Sequence, residues 1–176
     1  MGLVHIYCGD GKGKTSAAVG LAVRAAGCGK RVVIARFLKT DNSGEVEILK
    51  KIPEVTLIPC RKTFGFVRSM DEEMKRECAA YHRELFGEAV KLAEHADLVV
   101  FDEIMAAVNY GMVPECDVLE FLENRPGRDQ TDGLEIVLTG RDPSEKLIAA
   151  ADYVSEICKR KHPFDRGIMA RRGVEY

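Results

Sequence analysis

Six short apolar runs of strand length punctuate the chain, at Leu3 to Tyr7, Arg31 to Phe37, Val55 to Pro59, Leu98 to Phe101, Glu135 to Thr139 and Tyr153 to Ile157. Helical patterns fill most of the intervals, and alternation of this kind predicts an α/β fold. Two runs are apolar at consecutive positions, Val32-Val33-Ile34-Ala35 and Leu98-Val99-Val100-Phe101. They read as strands buried on both faces, as in a mainly parallel sheet with helices over both sides. The longest helix is expected from about Asp71 to Glu94, where Met74, Cys78, Tyr81, Leu85, Ala89 and Leu92 form one core-facing stripe. An Ala-rich helix follows from Ser16 to Cys28, closed by Gly27 and Gly29. Pro114 fits the first turn of another helix ending near Asn124, and Ser144 to Ala151 supplies one more. Loops are expected at Thr40 to Gly44, Arg61 to Ser69 and Arg125 to Gly133. With no repeat or linker in the sequence, residues 1–176 read as a single domain.

Composition narrows the class. The 176 residues are 46% hydrophobic and 31% charged, the balance of a soluble globular protein, and no apolar run approaches the roughly 18 residues of a membrane span. Lys plus Arg total 26 against 28 Asp plus Glu, so the net charge of −2 offers no general attraction for nucleic acid or an anionic membrane. An anion must be held by a local site. The stretch from Met1 to Tyr7 leads straight into a Gly-rich turn without the basic and apolar segments of a secretory signal, so a cytoplasmic protein is expected. Burial of Leu3 to Ile6 in a first strand leaves no free lipid arm at Gly2. The six cysteines are scattered, the nearest two, Cys60 and Cys78, lying 18 positions apart. That spacing excludes a paired zinc or dithiol motif and predicts buried, reduced thiols.

The chemistry begins at Cys8-Gly9-Asp10-Gly11-Lys12-Gly13-Lys14-Thr15-Ser16, which follows the first strand and opens a helix, the setting a P-loop requires. Its end, Gly13-Lys14-Thr15, fits the pattern, whereas the pattern's first Gly falls on Cys8; Gly9 and Gly11 still allow backbone N–H groups to curl toward an anion. Lys14 is expected to neutralise phosphate oxygens and Thr15 to ligate a metal ion, with the helix amino terminus adding positive charge. Lys12 is either a further phosphate contact or a solvated loop lysine. Leu98-Val99-Val100-Phe101-Asp102-Glu103 ends a buried strand in two carboxylates, resembling a Walker B segment, with Glu103 or Asp102 as the metal partner. Thr139-Gly140-Arg141 closes another strand and puts a guanidinium at the carboxyl edge of the sheet. Arg141 is thus either a clamp for a terminal phosphate or a surface partner of Asp142 or Glu145. Such a site also suits a RecA-like P-loop ATPase or phosphoryl-transfer enzyme.

Further segments narrow that choice. The phosphate loop, Arg24-Ala25-Ala26-Gly27-Cys28-Gly29-Lys30, Phe37-Leu38-Lys39, Phe64-Gly65-Phe66, Asn124-Arg125-Pro126-Gly127, Leu138-Thr139-Gly140-Arg141, Ala151-Asp152-Tyr153-Val154-Ser155-Glu156, Lys161-His162-Pro163-Phe164-Asp165-Arg166-Gly167 and Gly173-Val174-Glu175-Tyr176 occur in that order. Together they resemble the ATP:corrinoid adenosyltransferases of the CobA/BtuR/CobO type over nearly the whole chain. The resemblance implies a P-loop, RecA-like three-layer fold. It also implies transfer of the 5′-deoxyadenosyl group of ATP to Co(I) of a corrinoid, cobalamin or a precursor, with release of triphosphate.

By that resemblance Gly9, Asp10, Gly11, Lys12, Gly13, Lys14 and Thr15, with Ser16, hold the phosphates, Arg141 contacts them, and Thr15 and Glu103, beside Asp102, serve Mg²⁺ or Mn²⁺. Lys14, Arg141 and Glu103 would carry the catalytic charge stabilisation. Arg24 is a nucleotide contact or a solvated position on its helix. Phe64 and Phe66 would face the corrin, where an apolar ring excludes water and offers cobalt no lone pair. Trp is common in the family where Phe66 stands, and this chain has none, so a smaller aromatic seal is expected. Many relatives carry an amino-terminal segment over the partner's site, whereas here the first strand comes almost at once, so a more exposed corrinoid or a different cover is expected. A homodimer is implied, and the basic stretch Lys159, Arg160, Lys161, Arg166, Arg171 and Arg172 is either a solvated surface or a dock for an acidic, flavodoxin-like electron donor.

Overall fold

The computed structural model describes residues 2–128 and 130–175; Met1, Asp129 and Tyr176 of the segments above lie outside the described residues. Each of the six predicted strands forms: β1 (Val4–Cys8), β2 (Val32–Arg36), β3 (Val55–Leu57), β4 (Leu98–Asp102), β5 (Glu135–Thr139) and β6 (Tyr153–Glu156). They make one sheet in the order β3-β2-β4-β5-β1-β6. All pairs are parallel.

Every residue of β2 and β4 is buried, as their unbroken apolar runs predict. Side chains of a strand point alternately to the two faces, and the core divides accordingly. Val33, Ala35, Val99, Phe101, Ile136 and Leu138 enter one core cluster. Val32, Ile34, Leu98, Val100 and Val137 enter the other. The first face is covered by α3 (Glu72–Ala93), α4 (Ile104–Asn109), α5 (Glu115–Glu123) and α6 (Glu145–Ala149), and the second by α1 (Lys14–Gly27) and α2 (Gly44–Leu49). Helix α1 lies on the sheet through Ala18, Ala22 and Ala26, whose small side chains let its backbone come close.

The core stripe of α3 is rotated from the expected one. Cys78, Leu85 and Ala89 are buried as expected, but His82, Phe86 and Ala93 complete the buried face. Met74 is 41% exposed. The helix is capped by Asp71, whose carboxylate accepts from Met74 N at 2.8 Å. Pro114 is the residue before α5, in extended conformation, rather than part of its first turn. Two short helices, α2 and α4, have too few residues for a readable period. The thiols depart from expectation: all six are free, but Cys8 and Cys78 alone are buried, and Cys28, Cys116 and Cys158 are exposed. Among the described residues no helix is long and apolar enough to cross a membrane.

The parallel register sets the ends of four strands side by side. Tyr7 is paired with Thr139, Phe101 with Leu138, and Arg36 with Asp102. The loops after β1, β2, β4 and β5 therefore emerge along one edge, where ligands of open parallel sheets bind.

Candidate active site

At that edge the phosphate loop is curled by Gly9, φ 98°, and Gly13, φ 121°, both in conformations that L side chains avoid. Lys14 Nζ donates to the carbonyls of Gly9 at 2.7 Å and Gly11 at 2.8 Å, bracing the loop from within. Lys14 is 9% exposed. Burial, and next the nearby Arg141, press its pKa below the ordinary lysine value, an electrostatic deficit that an arriving polyanion relieves. The first turn of α1 holds no acid and no side-chain cap, leaving its N–H groups for an anion.

Gly11 has a backbone partner that the sequence did not mark. Its N–H is taken by Ile157 O at 2.7 Å, so that donor serves the close approach of the segment after β6, while Gly11 still lines the cleft beside Lys14. A Cβ on Gly11 would sit 2.5 Å from that oxygen. Beside it, Asp10 accepts from Lys159 N at 2.8 Å, and that bond holds its carboxyl below the usual range.

The two acids after β4 have separate places. Asp102, 2% exposed, accepts from Thr15 Oγ1 at 2.9 Å and from Thr139 Oγ1 at 2.7 Å on one oxygen, and from Lys39 Nζ at 2.5 Å on the other. Glu103 turns out of the sheet through a left-handed backbone, φ 63°, with its N–H bonded to Thr139 Oγ1 at 2.8 Å. It lines a cleft of about 270 Å³ with Asp10, Lys12, Lys14, Thr15, Arg141 and others. Arg141 pairs with neither Asp142 nor Glu145 among the described residues; it faces the phosphate loop closely enough to influence both Lys14 and Asp10.

A second cleft of about 960 Å³ adjoins the first through Thr15, Ser16, Val174 and Glu175, and continues along Val19, Gly20, Leu38 and Lys39. The carboxyl-terminal segment thus borders both. Glu175 reaches Lys12 at 3.3 Å, so Lys12 is an ion-pair partner in the cleft wall. The Arg171 side chain and N–H, followed by Lys12, hold the Glu175 carboxyl down to about 2.

Arg24 is placed apart from both clefts, exposed in the last turn of α1. Ten residues after Lys14, it lies about 15 Å along the helix. Phe64 and Phe66 have unlike surroundings. Phe64 is half-buried, its ring 5.6 Å from that of Tyr81 and 6.4 Å from that of His82, with Lys62 Nζ 5.1 Å above it. Phe66 is 87% exposed. Their loop is tied to the site by Cys60, whose Sγ donates to Lys39 O at 3.2 Å.

Lys39, Thr139, His162 and Glu175 belong to the site and were given no part in it from sequence. Thr139 ends β5 and Lys39 lies three positions past β2, so a polar residue at the carboxyl end of a parallel strand was the available signal. Nothing local marked His162 or Glu175. Among the described residues no three His, Cys, Asp or Glu side chains gather into a metal cage. The oxygen set of Thr15, Asp102 and Glu103 instead suits a hard cation that shares its coordination with phosphate and water. An ammonium group seated between Thr15 Oγ1 and Asp102 shows that this position accepts positive charge.

Comparison with known proteins agrees with this geometry. Residues 1–176 match the family described as ATP:corrinoid adenosyltransferase BtuR/CobO/CobP. The chain is similar to the corrinoid adenosyltransferase of Escherichia coli strain K12, 34% identical over 178 residues, covering 99% of this chain and 86% of the relative. It is 34% identical over 176 residues to corrinoid adenosyltransferase CobA of Salmonella typhimurium, with the same coverage of 99% and 86%. The corrinoid adenosyltransferase of Pseudomonas aeruginosa is 31% identical, over 99% of this chain and 84% of its own length.

Proposed function

The chain belongs to the ATP:corrinoid adenosyltransferase family, and from that premise we propose that it moves the 5′-deoxyadenosyl group of ATP to the cobalt of a reduced corrinoid in cobalamin metabolism. The observation that carries this reading is the junction of the two clefts at Thr15 and Ser16. A triphosphate held in the smaller one leaves the larger open to its sugar and to a second substrate.

The substrate Co(I) brings both electrons of the new Co–C5′ bond and ends as Co(III). The C5′–O5′ bond breaks, and its electron pair leaves with the triphosphate. No proton moves, so the protein has no need of a general base; it aligns the reactants and stabilises the charge developing on the leaving group. Lys14, the amino terminus of α1, Lys12 and Arg141 converge on that charge. Thr15, Asp102 and Glu103 are the residues that would hold Mg²⁺, which supplies further neutralisation of the triphosphate. Phe66, exposed in the loop that Cys60 ties to Lys39, offers an unpartnered apolar ring suited to cover the corrin face and keep water from cobalt.

The reading extends to a homodimer and to an acidic, flavodoxin-like reductant. Arg160, Lys161, Arg166 and Arg172, exposed and in no ion pair among the described residues, support such a dock. The test is anaerobic incubation with ATP, Mg²⁺ and chemically reduced cobalamin. Adenosylcobalamin and inorganic triphosphate are expected in equal amounts. ADP and phosphate without a cobalt–carbon bond would instead mark an ordinary phosphohydrolase.

A further inference from the structure

Lys39 stands where the metal ion is expected. The chain turns after β2 at Leu38, a non-glycine residue in the left-handed region at φ 53°, and this turn delivers Lys39 to the end of β4. Such a conformation costs about 1–2 kcal/mol and persists only where surrounding contacts hold it. The contacts are specific. Lys39 Nζ lies 2.7 Å from Thr15 Oγ1 and 2.5 Å from Asp102 Oδ2. The Thr15 hydroxyl at the same time donates to Asp102 Oδ1 at 2.9 Å. A hydroxyl and a carboxylate on either side of one positive group are the oxygen donors a divalent cation takes.

The two cations exclude one another. Mg²⁺ binds oxygen at about 2.1 Å, so an ion shared by Thr15 and Asp102 fills the space of the ammonium and repels its charge. The side chain has room to leave, because Lys39 lines the cleft of about 960 Å³ together with Leu38 and Thr40. Its backbone has less freedom, since its carbonyl accepts from Cys60 Sγ at 3.2 Å. Only the four-carbon stem must swing. Asp102, nearly fully buried, is neutralised in either arrangement, which avoids the cost of an unpaired buried carboxylate.

We propose that Lys39 is a resident cation of the metal site, exchanged for the divalent ion when the site is loaded and moved by that exchange into the larger cleft beside the nucleotide. The inference rests on the assignment of Thr15 and Asp102 to the metal. In this account Lys39 makes divalent ion binding weaker than the bare oxygen set would give, and a second positive charge reaches the cleft only when metal is in place.

Three measurements on corrinoid-free protein, without nucleotide except where ATP is named, test it. Mn²⁺ titration followed by the electron paramagnetic resonance of the free ion should show Lys39→Met binding Mn²⁺ at least about tenfold more tightly than the parent protein, because the competitor is gone. Melting of Lys39→Met should be lowered in EDTA and restored by Mn²⁺ alone. Equal or weaker Mn²⁺ affinity in the variant overturns the proposal while leaving the metal assignment intact. Absence of Mn²⁺ binding in both proteins, with ATP as well, overturns the assignment and the proposal together. The third measurement uses the unaltered chain and so is independent of whether the variant folds. Acylation of Lys39, quantified by peptide mass spectrometry, should quicken severalfold when Mg²⁺ is added, and an unchanged rate overturns the exchange.

Discussion

Thr139 Oγ1 donates to Asp102 Oδ1 at 2.7 Å across neighbouring strands and accepts the Glu103 N–H at 2.8 Å, so one hydroxyl positions both acids of the site. The pair is buried, Thr139 fully and Asp102 at 2% exposure. Thr139→Val keeps the shape and removes both bonds. It leaves the Glu103 N–H without its acceptor, which costs about 1–3 kcal/mol. Denaturant unfolding should register that loss, and Mg²⁺ dependence of adenosyl transfer should shift to higher concentration because Glu103 is no longer fixed. Thr139→Ser, which retains the hydroxyl, should restore the metal dependence.

The glycines of the phosphate loop and those of the helices should respond in opposite directions. Gly11→Ala places a Cβ 2.5 Å from Ile157 O and 2.9 Å from Cys158 C, both backbone atoms that cannot swing aside. The segment after β6 must retreat, and with it the Lys159 N–H bond to Asp10. Loss of about 1–3 kcal/mol in stability is expected, together with weaker binding of inorganic triphosphate by calorimetry. Gly87, inside α3, has open space around a Cβ. Gly87→Ala should raise stability by about 0.5–1 kcal/mol and leave triphosphate affinity alone.

Much of this arrangement was legible beforehand because two signals are local. Unbroken apolar runs at Val32–Ala35 and Leu98–Phe101, short and rich in β-branched residues, read as strands covered on both faces, and a glycine-rich turn between strand and helix marks a phosphate loop. Lys39 was not legible as a site residue, since its position depends on the left-handed turn at Leu38 and on β2 lying next to β4, a pairing between strands far apart in sequence. The bond from the Gly11 N–H was hidden for a similar reason: its acceptor is Ile157, brought in by β6 pairing with β1. The split between Phe64 and Phe66 arises because α3 presents Tyr81 and His82 to one ring and nothing to the other. Helices α2 and α4 are only 6 residues each, too short for a period to show.

His82 gives the fold a pH dependence of predictable sign. It is 3% exposed, its Nδ1 has no hydrogen-bond partner among the described residues, and rings of Phe37, Phe64 and Tyr81 lie around it. Burial lowers its pKa from 6.5 to about 4, so the folded protein holds it neutral. The unfolded chain takes up a proton below 6.5 and the folded one does so only near 4, so the unfolded state binds more protons in that window. Stability from this group is therefore complete above 6.5 and declines as pH falls toward 4, beyond which its contribution is flat. His82→Phe should remove about one proton from the slope of unfolding free energy against pH in this window. An unchanged slope would assign the dependence to other groups.

The two phenylalanines should separate packing from cobalt chemistry. Phe64 rests on Tyr81 and His82, so Phe64→Ala opens a gap in the aromatic layer and should cost about 1–3 kcal/mol of stability. Phe66, 87% exposed, supports no core packing, and Phe66→Ala should unfold within about 0.5 kcal/mol of the parent protein. Their effects on catalysis should diverge by the way Co(I) is supplied. With chemically preformed Co(I), Phe66→Ala should retain most of its rate, because attack on C5′ requires alignment of the nucleotide and no further help at cobalt. When Co(II) must be reduced on the enzyme, removal of the ring readmits an axial water and the rate should fall by at least about tenfold, the scale of one lost desolvating contact near 1.4 kcal/mol. An equal fall in both assays would place Phe66 in substrate binding instead, since a ring that merely grips the corrin is needed whichever way the cobalt was reduced.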